Sequence, residues 1–187
     1  GYDLSPWYYT YFNGCKIGYQ FCYGIDENEL HGFSLKQIII YPPCNQSVYE
    51  NNKEALTNQI LLEIPLTYEI ASLFQDNPTD PPNPNYIPEC PNNTLCFLRV
   101  DDAFCYNGWE ARPFNSYPKP RPLPPDPGYG TDVTAMKICD DGKLRTCYNA
   151  IYYCWEEDEH GEPVLRMYKN GYQQGDPCPY PCQWSCE

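Results

Sequence analysis

The stretch that decides the fold is Tyr8-Tyr9-Thr10-Tyr11-Phe12-Asn13-Gly14-Cys15-Lys16-Ile17-Gly18-Tyr19-Gln20-Phe21. Both halves of it are rich in the aromatic and β-branched residues that favour strands. Between the halves, Asn13 and Gly14 accept the positive φ angles that a two-residue type I′ turn requires. The stretch therefore predicts a β-hairpin.

The same pattern recurs around Asn107-Gly108, Asp141-Gly142 and Asn170-Gly171, each flanked by strand-forming residues. No repeat of fixed period lies behind these matches, so we interpret them as further hairpin turns. The segment from Thr134 to Tyr172 then reads as a β-meander. Together these signals predict a disulfide-rich, all-β fold of mainly antiparallel hairpins, sandwich-like in its layers.

One segment competes for helix. Ser47-Val48-Tyr49-Glu50 has the spacing of a capping box, and residues 51–59 can continue a helix from it. The next residues, Ile60 to Ile64, are apolar and precede Pro65, which favours a buried strand. We therefore expect at most one short helix, confined to Ser47–Gln59.

Cysteine usage indicates the compartment. The chain has 12 cysteines in 187 residues, an even count at close spacings that is typical of a disulfide framework. Disulfides persist in oxidising compartments, so we expect a secreted, extracellular protein. The cysteines expected to be oxidised are Cys15, Cys22, Cys44, Cys90, Cys96, Cys105, Cys139, Cys147, Cys154, Cys178, Cys182 and Cys186.

The last three cysteines also raise the question of zinc, because clustered thiolates bind it. Neither histidine lies near Cys178, Cys182 and Cys186, and an oxidising compartment favours disulfides there. The sequence therefore predicts no metal site and no cofactor.

Proline is concentrated in residues 76–91 and 113–128, with six and seven of the 21 prolines. We predict an N-terminal lobe of residues 1–112 that includes the first strap, a linker of residues 113–130, and a C-terminal lobe of residues 131–187. Residues 1–75 hold three cysteines, so full pairing requires a bridge that crosses the first strap. One continuous domain is the alternative.

Charge and hydropathy exclude some partners. The formal net charge is −13, from 25 acidic and 12 basic residues, which argues against binding to nucleic acid. The longest apolar runs, such as Ile38–Ile40, are far shorter than the ~20 residues that span a bilayer, so we expect no membrane insertion.

Enzyme signals are weak. The two histidines, His31 and His160, lie in no Gly-x-Ser-x-Gly or His-Glu-x-x-His motif, so we predict no catalytic activity. The acidic run from Trp155 to Glu162 lacks the spacing of a calcium loop and is interpreted as the solvated tip of a hairpin. Asn45 and Asn92 begin N-glycosylation sequons, so glycans are expected.

The N-terminal segment is the most aromatic part of the chain. It can be an ordinary first strand, or an arm that pairs with a second copy, since aromatic residues dominate buried interfaces. We favour a non-enzymatic extracellular structural protein that forms a homo-oligomer or homopolymer, such as a filament or surface layer. A secreted recognition module, for example an inhibitor, effector or adhesin, is the alternative. The residues expected to make the contact are Tyr2, Leu4, Trp7, Tyr9 and Tyr11.

Overall fold

The N-terminal hairpin is present in the computed structural model. Strand β2 (Tyr8–Phe12) pairs antiparallel with β3 (Cys15–Ile25), and Phe12 lies opposite Cys15. Asn13 and Gly14 have φ angles of 49° and 76°, as a type I′ turn requires. The local signal and the observed turn therefore agree.

The structure describes residues 2–25, 27–91, 96–101, 105–114, 132–139, 147–174 and 183–184. Within these ranges ten strands join one sheet, and all neighbouring pairs except one are antiparallel. The prediction of a mainly β, disulfide-rich fold is confirmed. The remaining strands are β1 (Tyr2–Leu4), β4 (His31–Ile40), β5 (Cys96–Asp101), β6 (Cys105–Pro113), β7 (Asp132–Ile138), β8 (Cys147–Glu157), β9 (Pro163–Gln174) and β10 (Gln183–Trp184).

The long strands β3 and β4 form the centre of the sheet. The outer edge of β3 is shared by β1 and β2, which lie end to end along it. The other edge of β4 is also shared, by β5 in parallel at residues 32–34 and by β7 at residues 39–40. Beyond these, the sheet continues from β5 to β8 and β9, and from β7 to β6 and β10.

A β-bulge sets which side chains of β4 are buried. Gln20 lies opposite Gln37, but the next residue, Phe21, lies opposite Leu35, so β4 contains an extra residue there. Side chains alternate between the two faces of a regular strand, which would place Leu35 and Ile38 on opposite faces. Because of the inserted residue, both belong to the same core. The side chains of β3 at Ile17 and Phe21 keep a strict alternation and face that core as well.

Helices cover this face of the sheet. The expectation of at most one short helix, confined to Ser47–Gln59, was wrong. The described helices are α1 (Ser47–Glu50), α2 (Lys53–Glu63) and α3 (Tyr68–Phe74), with 3-10 turns at Ile64–Leu66 and Pro84–Tyr86. Residues 60–64, expected to be a strand, are helical, and α3 was not predicted. An apolar run fits a buried helix as well as a buried strand, and contact with the sheet decides between them. The Thr67 hydroxyl caps α3 by accepting from the Ile70 N–H.

Two of the predicted turns are bulges instead. Asn107-Gly108 lies inside β6, between the pairs Tyr106↔Ile138 and Trp109↔Met136. Asn170-Gly171 lies inside β9, where the register shifts opposite Asn149 and Ala150. A flexible glycine serves a bulge as well as a turn, so the dipeptide alone does not distinguish them. Asp141-Gly142 lies outside the described residues.

The C-terminal segment is not a continuous meander. Strands β8 and β9 form a hairpin, but β7 pairs with β6 and β4 and not with β8. The β8–β9 turn is the acidic run, as predicted: Asp158 accepts from the N–H groups of His160 and Glu162. Its carboxylates are largely exposed, which is the solvated hairpin tip expected from composition.

Strands from both sides of residues 113–130 lie next to each other in the sheet. Strand β4 pairs with β7, β5 pairs with β8, and a disulfide joins Cys90 to Cys154. The predicted division into lobes 1–112 and 131–187 is therefore not reflected in the sheet. Of the predicted linker, Pro113 ends β6 and Phe114 is buried, while residues 115–130 lie outside the described part.

Candidate functional site at the N-terminal edge of the sheet

The candidate site is the outer edge of the sheet formed by β1 and β2. Among the described strands, these two pair only with β3. Ser5, Pro6 and Trp7 separate them, because proline has no N–H to continue a ladder. The chain nevertheless stays attached there, since the Ser5 N–H donates to the Phe21 carbonyl at 2.7 Å.

The side chains of β2 that face the helices are part of the core. The Tyr8 hydroxyl donates to the carboxylate of Glu69 on α3, and both residues are buried. Thr10 is buried one position further along this face, where Gln59 of α2 donates to its hydroxyl at 2.9 Å. These contacts attach the edge strand to both helices.

The carboxyl group of Glu63 lies in the same polar cluster. Burial raises its pKa to about 7, and a hydrogen bond from Thr10 opposes that shift. The pKa of Tyr19, which is buried beside it, is raised well above its usual value, first by burial and then by the charges of Glu63 and Tyr8. Acidic and phenolic groups thus share one water-poor interface between β2, β3 and α2.

The burial of Trp7 removes this residue from the predicted contact surface. It was expected to reach a second copy, but its side chain is only 7% exposed and lies in a second core cluster of its own chain. Its ring packs edge-on against Phe114 with centroids 5.4 Å apart, and Phe114 also contacts Tyr41. A contact with a residue more than a hundred positions away is invisible to local sequence patterns.

The other predicted contact residues divide by exposure. Leu4 is 50% exposed and Tyr11 is 60% exposed, so both present apolar surface at the edge. Tyr9 is half-buried, packs edge-on against Tyr11, and has the Lys16 ammonium 5.1 Å from its ring centroid. The backbone of Tyr2 lies in β1 opposite Gly24, but its side chain is outside the described part.

The direction of the Tyr11 backbone follows from its neighbours. The Tyr41 N–H donates to the Lys16 carbonyl at 3.0 Å, so the backbone polar groups of Lys16 point toward the β4 side. Tyr11 lies opposite Lys16, and this pair is therefore a non-hydrogen-bonded pair of the ladder. The N–H and C=O of Tyr11 consequently point outward, where an added strand would find them. Gln59 donates to that carbonyl at 2.9 Å.

The cysteines are partly as expected. Disulfides join Cys15 to Cys44 and Cys90 to Cys154, and Cys105 and Cys139 are also disulfide-bonded. Cys22 is a free thiol, which contradicts its predicted oxidation and removes the need for a bridge across the first strap. Burial raises the pKa of this thiol, with a further increase from Asp3 and an opposing effect of Lys36. The side chains of Cys96, Cys147, Cys178, Cys182 and Cys186 lie outside the described part.

The remaining predicted residues lie elsewhere. Asn45 is exposed in the loop before α1, where its side-chain oxygen accepts from the Ser47 N–H, and Asn92 is outside the described residues. His31 packs on Phe74, whereas His160 is exposed at the β8–β9 turn. In the described ranges no group of three or more His, Cys, Asp or Glu residues is arranged to hold a metal.

Comparisons with protein-family models, with curated proteins and with solved structures find no match. None of the described helices has both the length and the apolar character needed to cross a membrane.

The sequence predicts the edge strand but not the helix residues that hold it, which are Gln59, Glu63 and Glu69. The signal was present only indirectly. Gln59 and Glu63 are spaced four residues apart, which places them on the same side of a helix once α2 is extended to its true end.

Proposed function

We propose that this protein is a non-enzymatic, extracellular structural protein that assembles with copies of itself through the outer edge of β1–β2. A strand edge binds another strand edge by completing its ladder of hydrogen bonds. The observation that carries the proposal is the exposure of Leu4 and Tyr11, at 50% and 60%, beside an edge that pairs only with β3 in the described structure.

The compartment is part of the proposal. The disulfides Cys15–Cys44 and Cys90–Cys154 are bonds of a kind that persist outside the cell and in secretory compartments. The exposed position of Asn45 fits a glycan at that sequon. Both observations support secretion.

The net charge of −13 opposes association of identical copies at low ionic strength. At 0.15 M salt the Debye length is about 8 Å, so repulsion between distant carboxylates is largely screened while contacts at the edge persist. Assembly should therefore increase with salt.

Which two surfaces meet determines whether the assembly is a dimer or a filament. Contact between two identical edges closes a dimer, whereas contact between this edge and a different surface of the next copy propagates into an open filament. Sedimentation velocity over a range of concentrations separates a single dimer boundary from a growing series.

The test uses charge at the edge. Leu4→Lys and Tyr11→Lys should each weaken association, because a lysine on an edge strand disfavours a neighbour. The matched control is Tyr168→Lys, since Tyr168 is 51% exposed and lies on β9, which pairs with β8 and with neither β1 nor β2. Deleting residues 1–12 is not a suitable test, because it removes Trp7 and Tyr8 from the core. A wild-type chain that stays monomeric at millimolar concentration in 0.5 M salt would overturn the proposal.

A recognition module is the second candidate, and the β8–β9 hairpin supports it. Tyr152 and Tyr168 lie opposite each other there, next to Arg166, which bonds Glu156 at 2.8 Å. Tyrosine and arginine are the residues that recognition surfaces use most. Under this function wild type stays monomeric, and Tyr168→Lys, not Tyr11→Lys, abolishes binding to an immobilised glycan array.

A further inference from the structure

We propose that Gln59 of α2 is a gate on the assembly edge: its side chain occupies the outward carbonyl of Tyr11 and must leave before a second copy can add a strand there. The inference rests on the proposed edge assembly and specifies how that edge is regulated. Its basis is the pair of hydrogen bonds that the Gln59 side-chain amide donates, to the Tyr11 carbonyl and to the Thr10 hydroxyl, both at 2.9 Å.

The contact is well placed to block strand addition. Tyr11 lies in a non-hydrogen-bonded pair with Lys16, so its carbonyl is one of the acceptors that an incoming strand would use. Proteins protect exposed edges by covering them with side chains, helices or loops, and a donor on that carbonyl is protection of this kind. The rest of the edge, at Leu4, lies at the far end of β1–β2 from Gln59.

The gate is held from inside the protein. Thr10 is buried, and it bonds both Gln59 and Glu63, which lie one helical turn apart on α2. Releasing Gln59 therefore breaks one bond at the surface and one in the half-buried layer beneath it, without requiring α2 to move away from the core. The Gln59 side chain can therefore be released while the protein stays folded.

The experiment measures binding of a fluorescent synthetic peptide that copies residues 2–12 to the full-length, disulfide-bonded protein at a concentration where the protein is monomeric. Gln59→Ala removes both donated bonds, and the peptide should then bind roughly tenfold more tightly than to wild type, given the usual worth of a hydrogen bond. Gln59→Met keeps the length and helix propensity of the side chain without its donor, and should behave in the same way if the alanine variant folds poorly.

A matched control is available in Gln75 at the end of α3, whose side-chain amide donates to the Asn83 carbonyl in an exposed contact that does not involve β1 or β2. Gln75→Ala removes a similar bond and should leave peptide affinity unchanged. Equal affinity of wild type and both Gln59 variants would overturn the gate and leave edge assembly intact. Absence of peptide binding in every variant would overturn both the gate and the edge itself.

Discussion

Gly18 of β3 and Ile39 of β4 lie opposite each other, and the isoleucine side chain covers the place where a β-carbon of residue 18 would be. A Cβ built on Gly18 would lie 2.6 Å from Cγ1 and 2.8 Å from Cδ1 of Ile39. Ile39 is itself buried in the cluster that contains Trp7 and Phe114. The absence of a side chain at position 18 thus allows the second core cluster to close over the sheet.

Gly18→Ala should destabilise the protein by about 1–3 kcal/mol, the usual cost of overpacking a core. The measurement is the free energy of unfolding in denaturant. A second variant, Ile39→Ala, opens the space, so the double variant should lose less than the sum of the two single losses. Strict additivity would show that the two side chains do not compete for that space.

Trp7 and Tyr11 should respond differently to truncation, although both were predicted to be interface residues. Trp7→Ala should cost about 3–5 kcal/mol because it leaves a cavity against Phe114. Tyr11→Ala should change the free energy of unfolding by about 0.5 kcal/mol or less, because its ring is largely in solvent. Equal losses in the same denaturation experiment would contradict the burial of Trp7.

The stability of the fold should fall as pH rises from about 4.5 to about 7. The folded-state pKa of Glu63 is raised from 4.5 to about 7, so the folded state binds the proton more tightly than the unfolded state does. The stabilisation is therefore complete below pH 4.5 and is lost as pH rises through about 7, a change on the order of 3 kcal/mol.

Glu63→Gln should remove this pH dependence and make the variant more stable than wild type at pH 8. Comparing denaturation midpoints of the two proteins between pH 4 and 8 isolates Glu63 from the general effect of net charge. Glu54→Gln, at an exposed position of the same helix, controls for the loss of one negative charge. A constant difference between wild type and Glu63→Gln across the range would contradict the assignment.

The two disulfides Cys15–Cys44 and Cys90–Cys154 should contribute unequally to the free energy of unfolding. In the loop-closure treatment, bonds with sequence separations of 29 and 64 stabilise by about 3.6 and about 4.3 kcal/mol. Replacing both cysteines of either pair by alanine should show losses in that order, whereas Cys22→Ser should cost about 1 kcal/mol or less.

Cys22 should also be alkylated by iodoacetamide in the native, unreduced protein, with peptide mass spectrometry as the measurement. Because burial raises the pKa of its thiol, the reaction should be faster at pH 9 than at pH 7. Recovery of Cys22 in a disulfide-linked peptide would contradict its assignment as a free thiol.

The features that the sequence predicted correctly are those fixed by adjacent residues. The hairpin at Asn13-Gly14 and the exposed turn at Asp158 depend on local backbone preferences, and both are present. The helix over residues 60–64 and the bulge at Gly171 could not be predicted in the same way. An apolar run and a glycine are each compatible with two structures, and only their contacts with distant strands select one.

At the edge site, too, the sequence predicts the local features but not those that depend on distant contacts. That β2 is an aromatic strand could be predicted, but the burial of Trp7 depends on Phe114, and the cover on Tyr11 depends on a helix that continues past Gln59. The pKa of Glu63 likewise follows from its position in the helix–sheet interface, which the identity of the residue does not reveal.

The Cys90–Cys154 bond has a consequence for proteolysis. Cys90 and strand β6 precede residues 115–131, whereas strand β7 and Cys154 follow them. A protease that cut once within that stretch would therefore leave two fragments that remain linked by the disulfide. Such a nicked molecule would migrate as an intact chain on a non-reducing gel and as two bands after reduction. A single cut within that stretch would therefore not divide the protein.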